Sequence, residues 1–231
     1  MTLLEARSLE KIYRVGEVET HALRGASLGI EEGEFTALAG PSGSGKSTLL
    51  HLLAGLDKPS SGEVLLHGQR IDNLPAKRLA RLRLENFGFV FQAYNLLPVL
   101  NALENAAFVL EAQGVGKKER EAKALRALEV LGIADLSKRR PNQLSGGQQQ
   151  RVAVARALSA NPKIILADEP TANLDKETSL SLIEHMKHLN EEEGVTFLFS
   201  THDPRLLSYV KRIVHIEDGL VASIESQGET S

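Results

Sequence analysis

Apolar positions in the first third of the chain form short runs broken by glycine-rich turns, which predicts strands over residues 3–9, 20–30, 34–40, 62–67 and 87–91. Gly25 and Gly29 interrupt the second run, and Glu-Gly and Gly-containing pairs supply the turns. Between residues 101 and 160 the period lengthens. Ala102, Leu103, Ala106, Ala107 and Leu110 fall on one helical face, and Ala124, Leu125, Leu128, Val130 and Leu131 on another. From Lys163 onward strands and helices alternate: an apolar strand over 164–168, a helix over 176–190, a strand over 195–200, a short helix opened by Asp203-Pro204, and a closing pair around Asp218-Gly219. This order predicts an α/β fold with a mainly parallel sheet, an antiparallel β part at the front and an inserted helical segment. The whole of 1–231 reads as one domain. Residues 1–91 and 161–231 supply the α/β core with its antiparallel part, and 92–160 the helical subdomain.

Composition narrows the picture without naming an activity. A chain of 231 residues with 42% hydrophobic content can bury a full core. No run approaches 18 consecutive apolar residues, so no spanning helix is expected. Residues 1–7 lack the basic-then-apolar order of a secretory signal, which predicts a cytosolic chain. The lack of cysteine excludes disulfides and thiolate sites, and no zinc is expected. A net charge of −3 gives no footprint for bulk nucleic-acid binding, so no nucleic-acid partner is expected.

Candidate chemistry begins at Gly40-Pro41-Ser42-Gly43-Ser44-Gly45-Lys46-Ser47-Thr48, which fits G-x-x-x-x-G-K-[ST] at every fixed position. Glycines let successive backbone N–H groups turn inward around an anion. Lys46 can reach the β- and γ-phosphates, and Ser47 offers a hydroxyl to Mg²⁺. The run lies between a predicted strand and a predicted helix N-terminus, where the helix dipole favours phosphate. A second constellation closes the apolar strand 164–168 with Asp168 and Glu169. Adjacent residues on a strand point opposite ways, so the two acids are expected to divide the work. Asp168 supports the Mg²⁺ shell and Glu169 activates water against the γ-phosphate. Between these sites, Leu144-Ser145-Gly146-Gly147-Gln148 opens a predicted helix. Ser145 and Gln148 form a capping box, which does not explain the two glycines, whose N–H groups would suit a second anion.

Phosphate loop, Leu144-Ser145-Gly146-Gly147-Gln148 and apolar-strand-Asp168-Glu169, in this order, closely resemble the ATPase subunits of ATP-binding-cassette transporters. The resemblance covers nearly the whole chain and implies a P-loop NTPase (RecA-like) core, ATP and Mg²⁺ as ligands, and ATP hydrolysis. It implies a homodimer around two ATP, with Ser145, Gly146, Gly147 and Gln148 reaching the nucleotide in trans. Residue by residue, Gln92 matches the glutamine that meets Mg²⁺ and the transport partner. Asn173 and Asp175 match the loop that links two ATP sites, His202 the histidine at the γ-phosphate, and Tyr13 the aromatic that stacks on adenine. Asp175 also suits an N-cap, and Tyr13 simple strand packing. Ala172 stands where many relatives have glycine.

Residues 87–107, with 13–17 and 22–25, look like the bacterial lipoprotein-releasing and macrolide-exporter subfamily, with similar wording in the cell-division ATPase. This implies a peripheral ATPase on the cytoplasmic face of the inner membrane that drives separate transmembrane permease subunits. Leu96, Leu97, Val99 and Leu100, interrupted by Pro98, form an apolar run that reads either as an exposed docking site or as core. A soluble, non-transport cassette ATPase and a scaffold without hydrolysis are the rival readings; Glu169 and His202 argue against the scaffold. His185 and His188, one helical turn apart, and the charged runs 117–121, 138–140 and 191–193 read as solvated surface.

Overall fold

The computed structural model describes residues 2–226. Two long strands, β1 (Thr2–Val15) and β2 (Val18–Glu31), pair antiparallel and lead into the five-residue β3 (Phe35–Ala39). Helix α1 (Lys46–Leu53) follows, then β4 (Ser61–Leu66), the two-residue β5 (Gln69–Arg70), α2 (Ala76–Asn86) and β6 (Phe87–Val90). The helical segment holds α3 (Ala102–Ala112), α4 (Lys117–Val130), two 3₁₀ turns and α5 (Gly146–Ser159). The chain returns through β7 (Ile164–Ala167), α6 (Lys176–Glu193), β8 (Thr196–Thr201), α7 (Pro204–Leu207) and the hairpin β9 (Arg212–Glu217) and β10 (Leu220–Ser226).

The strands form two sheets: an antiparallel one in the order β2-β1-β4-β5 and a six-stranded one in the order β10-β9-β3-β8-β7-β6. In the second, β9, β3, β8, β7 and β6 run parallel and β10 closes one edge antiparallel. The period of two along these strands divides the core. Phe35, Ala37, Ala39, Ile165, Ala167, Phe197 and Phe199 face one cluster, which also takes the buried faces of α3, α4, α5 and α6. Leu38, Ile164, Leu166, Leu198 and Val214 face the other, built with α1 and the antiparallel sheet. Both faces are covered, so these strands read as nearly continuous apolar runs.

Three differences from the sequence reading have physical causes. The first strand runs to Val15, because irregular pairing between Ala6 and Leu9 breaks the alternation and the residues beyond are largely exposed. Helix α2 was not anticipated: Leu79 is its one buried residue, so the apolar stripe that marks a helix is almost missing. The strand before the two acids ends at Ala167, and Glu169 adopts a left-handed backbone (φ 47°). The acids therefore diverge through a turn, not through the pleat of a strand.

Phe199 has no exposed surface and lies 5.4 Å from Phe35, ring centre to ring centre. Phe199→Ala is expected to lower stability by roughly 3–5 kcal/mol through lost burial and the cavity left behind. Urea unfolding should show a lower midpoint with an unchanged slope.

Candidate active site

The phosphate loop leaves β3 at Gly40 (φ 150°) and enters α1 through Gly45 (φ 107°). A Cβ at Gly40 would lie 2.2 Å from the Ile216 carbonyl oxygen, and one at Gly45 2.6 Å from that of Ala22, so both positions exclude any other residue. The loop is buttressed from the far end of the chain, where Gly219 donates its N–H to the Ser44 carbonyl at 3.0 Å. Buried Lys46 donates from Nζ to the carbonyls of Gly40 (2.8 Å) and Pro41 (2.9 Å), which holds the ammonium across the loop. The Ser44 hydroxyl is buried with no hydrogen-bond partner among the described residues, an orphan donor in a phosphate-type loop.

Asp168 sits directly behind this loop. Its Oδ1 accepts the hydroxyls of Ser47 and Ser200, each at 2.7 Å. His51 Nε2 is 3.7 Å from its Oδ2. The Ser200 hydroxyl in turn accepts the Glu169 N–H at 2.9 Å, which fixes the turn that aims Glu169 away from Asp168. Glu169 Oε2 meets His202 Nδ1 at 3.0 Å; the carboxylate is mostly covered and the imidazole mostly exposed. Ser47, Asp168 and Gln92 offer only oxygen donors from hydroxyl, carboxylate and amide groups, a set that suits a hard divalent cation such as Mg²⁺.

A cavity of about 520 Å³ gathers these groups. Ser42, Gly43, Gly45, Lys46, Ser47, Thr48, Gln92, Glu169 and His202 line it. Gly40, Pro41 and Ser44 complete the loop beneath them. Thr20, His21, Ala22 and Ala172 line it as well, and nothing in their types or spacing announced it. Tyr13 stands beside it through its cross-strand partner Thr20. The Tyr13 hydroxyl donates to Asp57 at 2.9 Å, and the Lys11 ammonium lies 4.8 Å from the ring centre. Burial, then the Asp57 carboxylate, raises the Tyr13 pKa. Burial alone would raise that of Asp57, but Lys11, the Lys58 N–H and the Tyr13 hydroxyl together bring it below the ordinary value.

The remaining predicted residues lie outside this cavity. Ser145 caps α5: its hydroxyl accepts the Gln148 N–H at 3.3 Å while Gln148 Oε1 accepts the Ser145 N–H at 2.9 Å. Ser145, Gly147 and Gln148 line a separate cavity of about 290 Å³ with Arg151 and Thr178. The two glycines have a packing cause that sequence reasoning missed. A Cβ at Gly147 would lie 2.3 Å from Thr178 Cγ2, and one at Gly146 2.9 Å from the Tyr94 hydroxyl oxygen. Asp175 caps α6, accepting the Thr178 N–H at 3.0 Å and its hydroxyl at 2.6 Å, bonds that lower its pKa. Asn173 donates from Nδ2 to the Gln92 carbonyl at 2.9 Å.

The ABC transporter family model matches residues 23–172, well over half of the chain. The chain belongs to the ABC transporter family. It is an ATP-binding, ATP-hydrolysing cassette of that family. An uncharacterised ABC transporter ATP-binding protein of Thermotoga maritima is 48% identical over 226 residues, covering 98% of this chain and 96% of the relative. A macrolide export ATP-binding/permease protein MacB of Syntrophobacter fumaroxidans is 45% identical over 223 residues, 96% of this chain but 31% of that larger protein. The solved dimeric post-hydrolysis state of the ATP-binding cassette MJ0796, bound to ADP and Pi, superposes with a TM-score of 0.91 at 42% identity, covering 98% of this chain and 100% of that one.

Ser200 was not singled out from the sequence, where it reads as one polar residue at the end of an apolar strand. Ser200→Ala would leave the Glu169 N–H without its acceptor and Asp168 with one donor fewer, at a cost of about 1–3 kcal/mol. ATP turnover is expected to fall by roughly tenfold while equilibrium ATP binding changes little, since no phosphate contact is removed. Steady-state kinetics beside fluorescent-nucleotide titration check this.

Proposed function

We propose that the cavity behind the phosphate loop holds Mg-ATP and hydrolyses it, and that two copies of the chain close around two nucleotides to drive a separate membrane protein. The observation that carries the reading is the shared cavity: Lys46, Ser47, Gln92, Glu169 and His202 line one space, with Asp168 bonded to Ser47 beneath it. Lys46 and the loop N–H groups stabilise charge on the transferring phosphoryl group. Glu169 takes the proton of the attacking water, and His202, at hydrogen-bond distance from that carboxylate, steadies it and the γ-phosphate. Ser47, Gln92 and Asp168 would hold Mg²⁺, which when bound would offset the negative charge of the phosphate oxygens. Tyr13 stacks on adenine, its phenol and ring already fixed by Asp57 and Lys11.

The trans contribution of Ser145, Gly146, Gly147 and Gln148 is supported by their position outside the cavity of their own chain and by the dimeric MJ0796 structures. Asn173 and Asp175 then lie in the loop between the two sites. Among the described residues no helix is long and apolar enough to cross a membrane, which fits a peripheral ATPase working on separate permease subunits at the cytoplasmic face. The MacB relative supports export of macrolide-like cargo, and lipoprotein release or peptide-like cargo follows only from the subfamily resemblance of residues 87–107.

Glu169→Gln is expected to cut hydrolysis by roughly 10²- to 10⁴-fold while ATP still binds, trapping a dimer visible by size-exclusion chromatography with light scattering. Turnover at the wild-type rate would remove Glu169 from the role of base. A second expectation concerns docking. Buried Asn105 accepts the Leu97 N–H at 2.8 Å and donates to the carbonyls of Leu97, Leu100 and Asn101, shaping a turn that leaves Leu97 and Val99 outward while Leu96 packs on the core. Leu97→Asp with Val99→Asp should therefore release the subunit from membranes and keep most of the basal ATPase activity. Flotation assays beside phosphate-release kinetics test this, and a variant that floats as the wild type does places the docking surface elsewhere.

A further inference from the structure

The segment after Gln92 carries an unusual load. Tyr94 and Asn95 both adopt left-handed backbone conformations, with φ of 59° and 50°. Asparagine tolerates that region, but tyrosine rarely does, and two in succession do not hold themselves there. Their carbonyls are held instead by a cation from another subdomain. Arg156, half-buried on α5, donates from one guanidinium nitrogen to the Asn95 carbonyl at 2.5 Å and from the other to the Tyr94 carbonyl at 3.0 Å. Among the described residues no carboxylate pairs with Arg156, and burial lowers its pKa. A guanidinium partly withdrawn from water and given only carbonyl partners gains little from its charge, and it makes sense where its two-pronged geometry is needed.

Two further contacts complete the connection. The Tyr94 phenol lies against Gly146 at the first turn of the same helix, where a Cβ would come within 2.9 Å of its oxygen. On the other side Asn173 donates to the Gln92 carbonyl. The 92–95 segment is thus gripped at both ends of one helix, and the residue it presents to the cavity is Gln92.

We propose that Arg156 is a positioning residue for ATP hydrolysis: its fork on the Tyr94 and Asn95 carbonyls sets the reach of Gln92 into the nucleotide cavity, so that a shift of α5 is felt there directly. This rests on the reading of Gln92 as a group that meets Mg²⁺. Arg156→Lys keeps the charge but cannot serve two carbonyls in fixed directions. It is expected to lower kcat by about tenfold and raise the Mg²⁺ concentration for half-maximal activity several-fold, with KM for ATP within about twofold. The same substitution in a Gln92→Ala background should add nothing further.

The chain has no tryptophan, so Ala93→Trp, at an exposed position, gives a single reporter of the segment. Adding Arg156→Lys to it should change the emission or anisotropy of the nucleotide-free full chain. A reporter that does not respond overturns the proposal. So does an Arg156→Lys effect on Mg²⁺ activation of the same size with or without Gln92. If the reporter responds while Gln92→Ala leaves Mg²⁺ activation unmoved, Arg156 still positions the segment, and it is the assignment of Gln92 to Mg²⁺ that fails.

Discussion

One carboxylate oxygen ties the catalytic half of this molecule together. Asp168 Oδ1 accepts hydroxyls from Ser47 at the start of α1 and from Ser200 near the end of β8, while the Asp168 N–H donates to the Val90 carbonyl at the end of β6. Four pieces of the fold, α1, β6, β8 and the end of β7, therefore meet at one residue. A charged acceptor with two hydroxyl donors in a partly buried site is a strong arrangement, and removing either donor loosens the register between the phosphate loop and the strands beside it. The direction taken by Glu169 follows from the same knot, because its N–H is bound by the hydroxyl that also binds Asp168.

The two-sided sheet makes that meeting point possible. Alternate residues of β3, β7 and β8 commit to opposite cores, so neither face can shift by one residue without burying nothing or clashing. The strands end in step, and their carboxyl ends place Gly40, Asp168 and His202 along one rim, where open α/β sheets gather ligands. The helical segment shares the core of one face, and α5 packs closely enough on β6 that a Cβ at Gly88 would come within 3.1 Å of Ala157. The helix bearing Ser145 and Arg156 is thus seated on the sheet that carries the site.

Much of this was legible in the sequence, for identifiable reasons. The phosphate loop declares itself because Gly40 and Gly45 occupy positions where backbone oxygens leave no space for a side chain, so the pattern has no freedom. The strands 164–167 and 196–201 are visible because both their faces are buried and their centres are unbroken apolar runs. What stayed hidden depends on surroundings the chain does not encode locally. Ser200 became important only when β8 lay beside β7. Gly146 and Gly147 suggested anion binding, and the structure adds a second cause, since Tyr94 and Thr178 press against them. The outer part of β1 and the helix α2 bury so little that no periodic signal survives. The apolar run 96–100 could not be divided into inward and outward residues until Asn105 was seen to shape its turn.

The contact between Gly219 and Ser44 has a consequence for how the protein comes into being. The tight Asp218-Gly219 turn, with both residues at positive φ, is wedged between the phosphate loop and β2: Gly219 donates to Ser44, and Arg24 donates to Gly219. A ribosome that has released the chain only as far as α7 has already delivered the loop, both acids and His202, yet the brace for the loop is still unmade. Nucleotide capture is therefore a late event in biosynthesis, reached when contacts nearly the full length of the chain apart have closed, and a nascent chain stalled before the final hairpin carries the complete motif set with its loop unsupported.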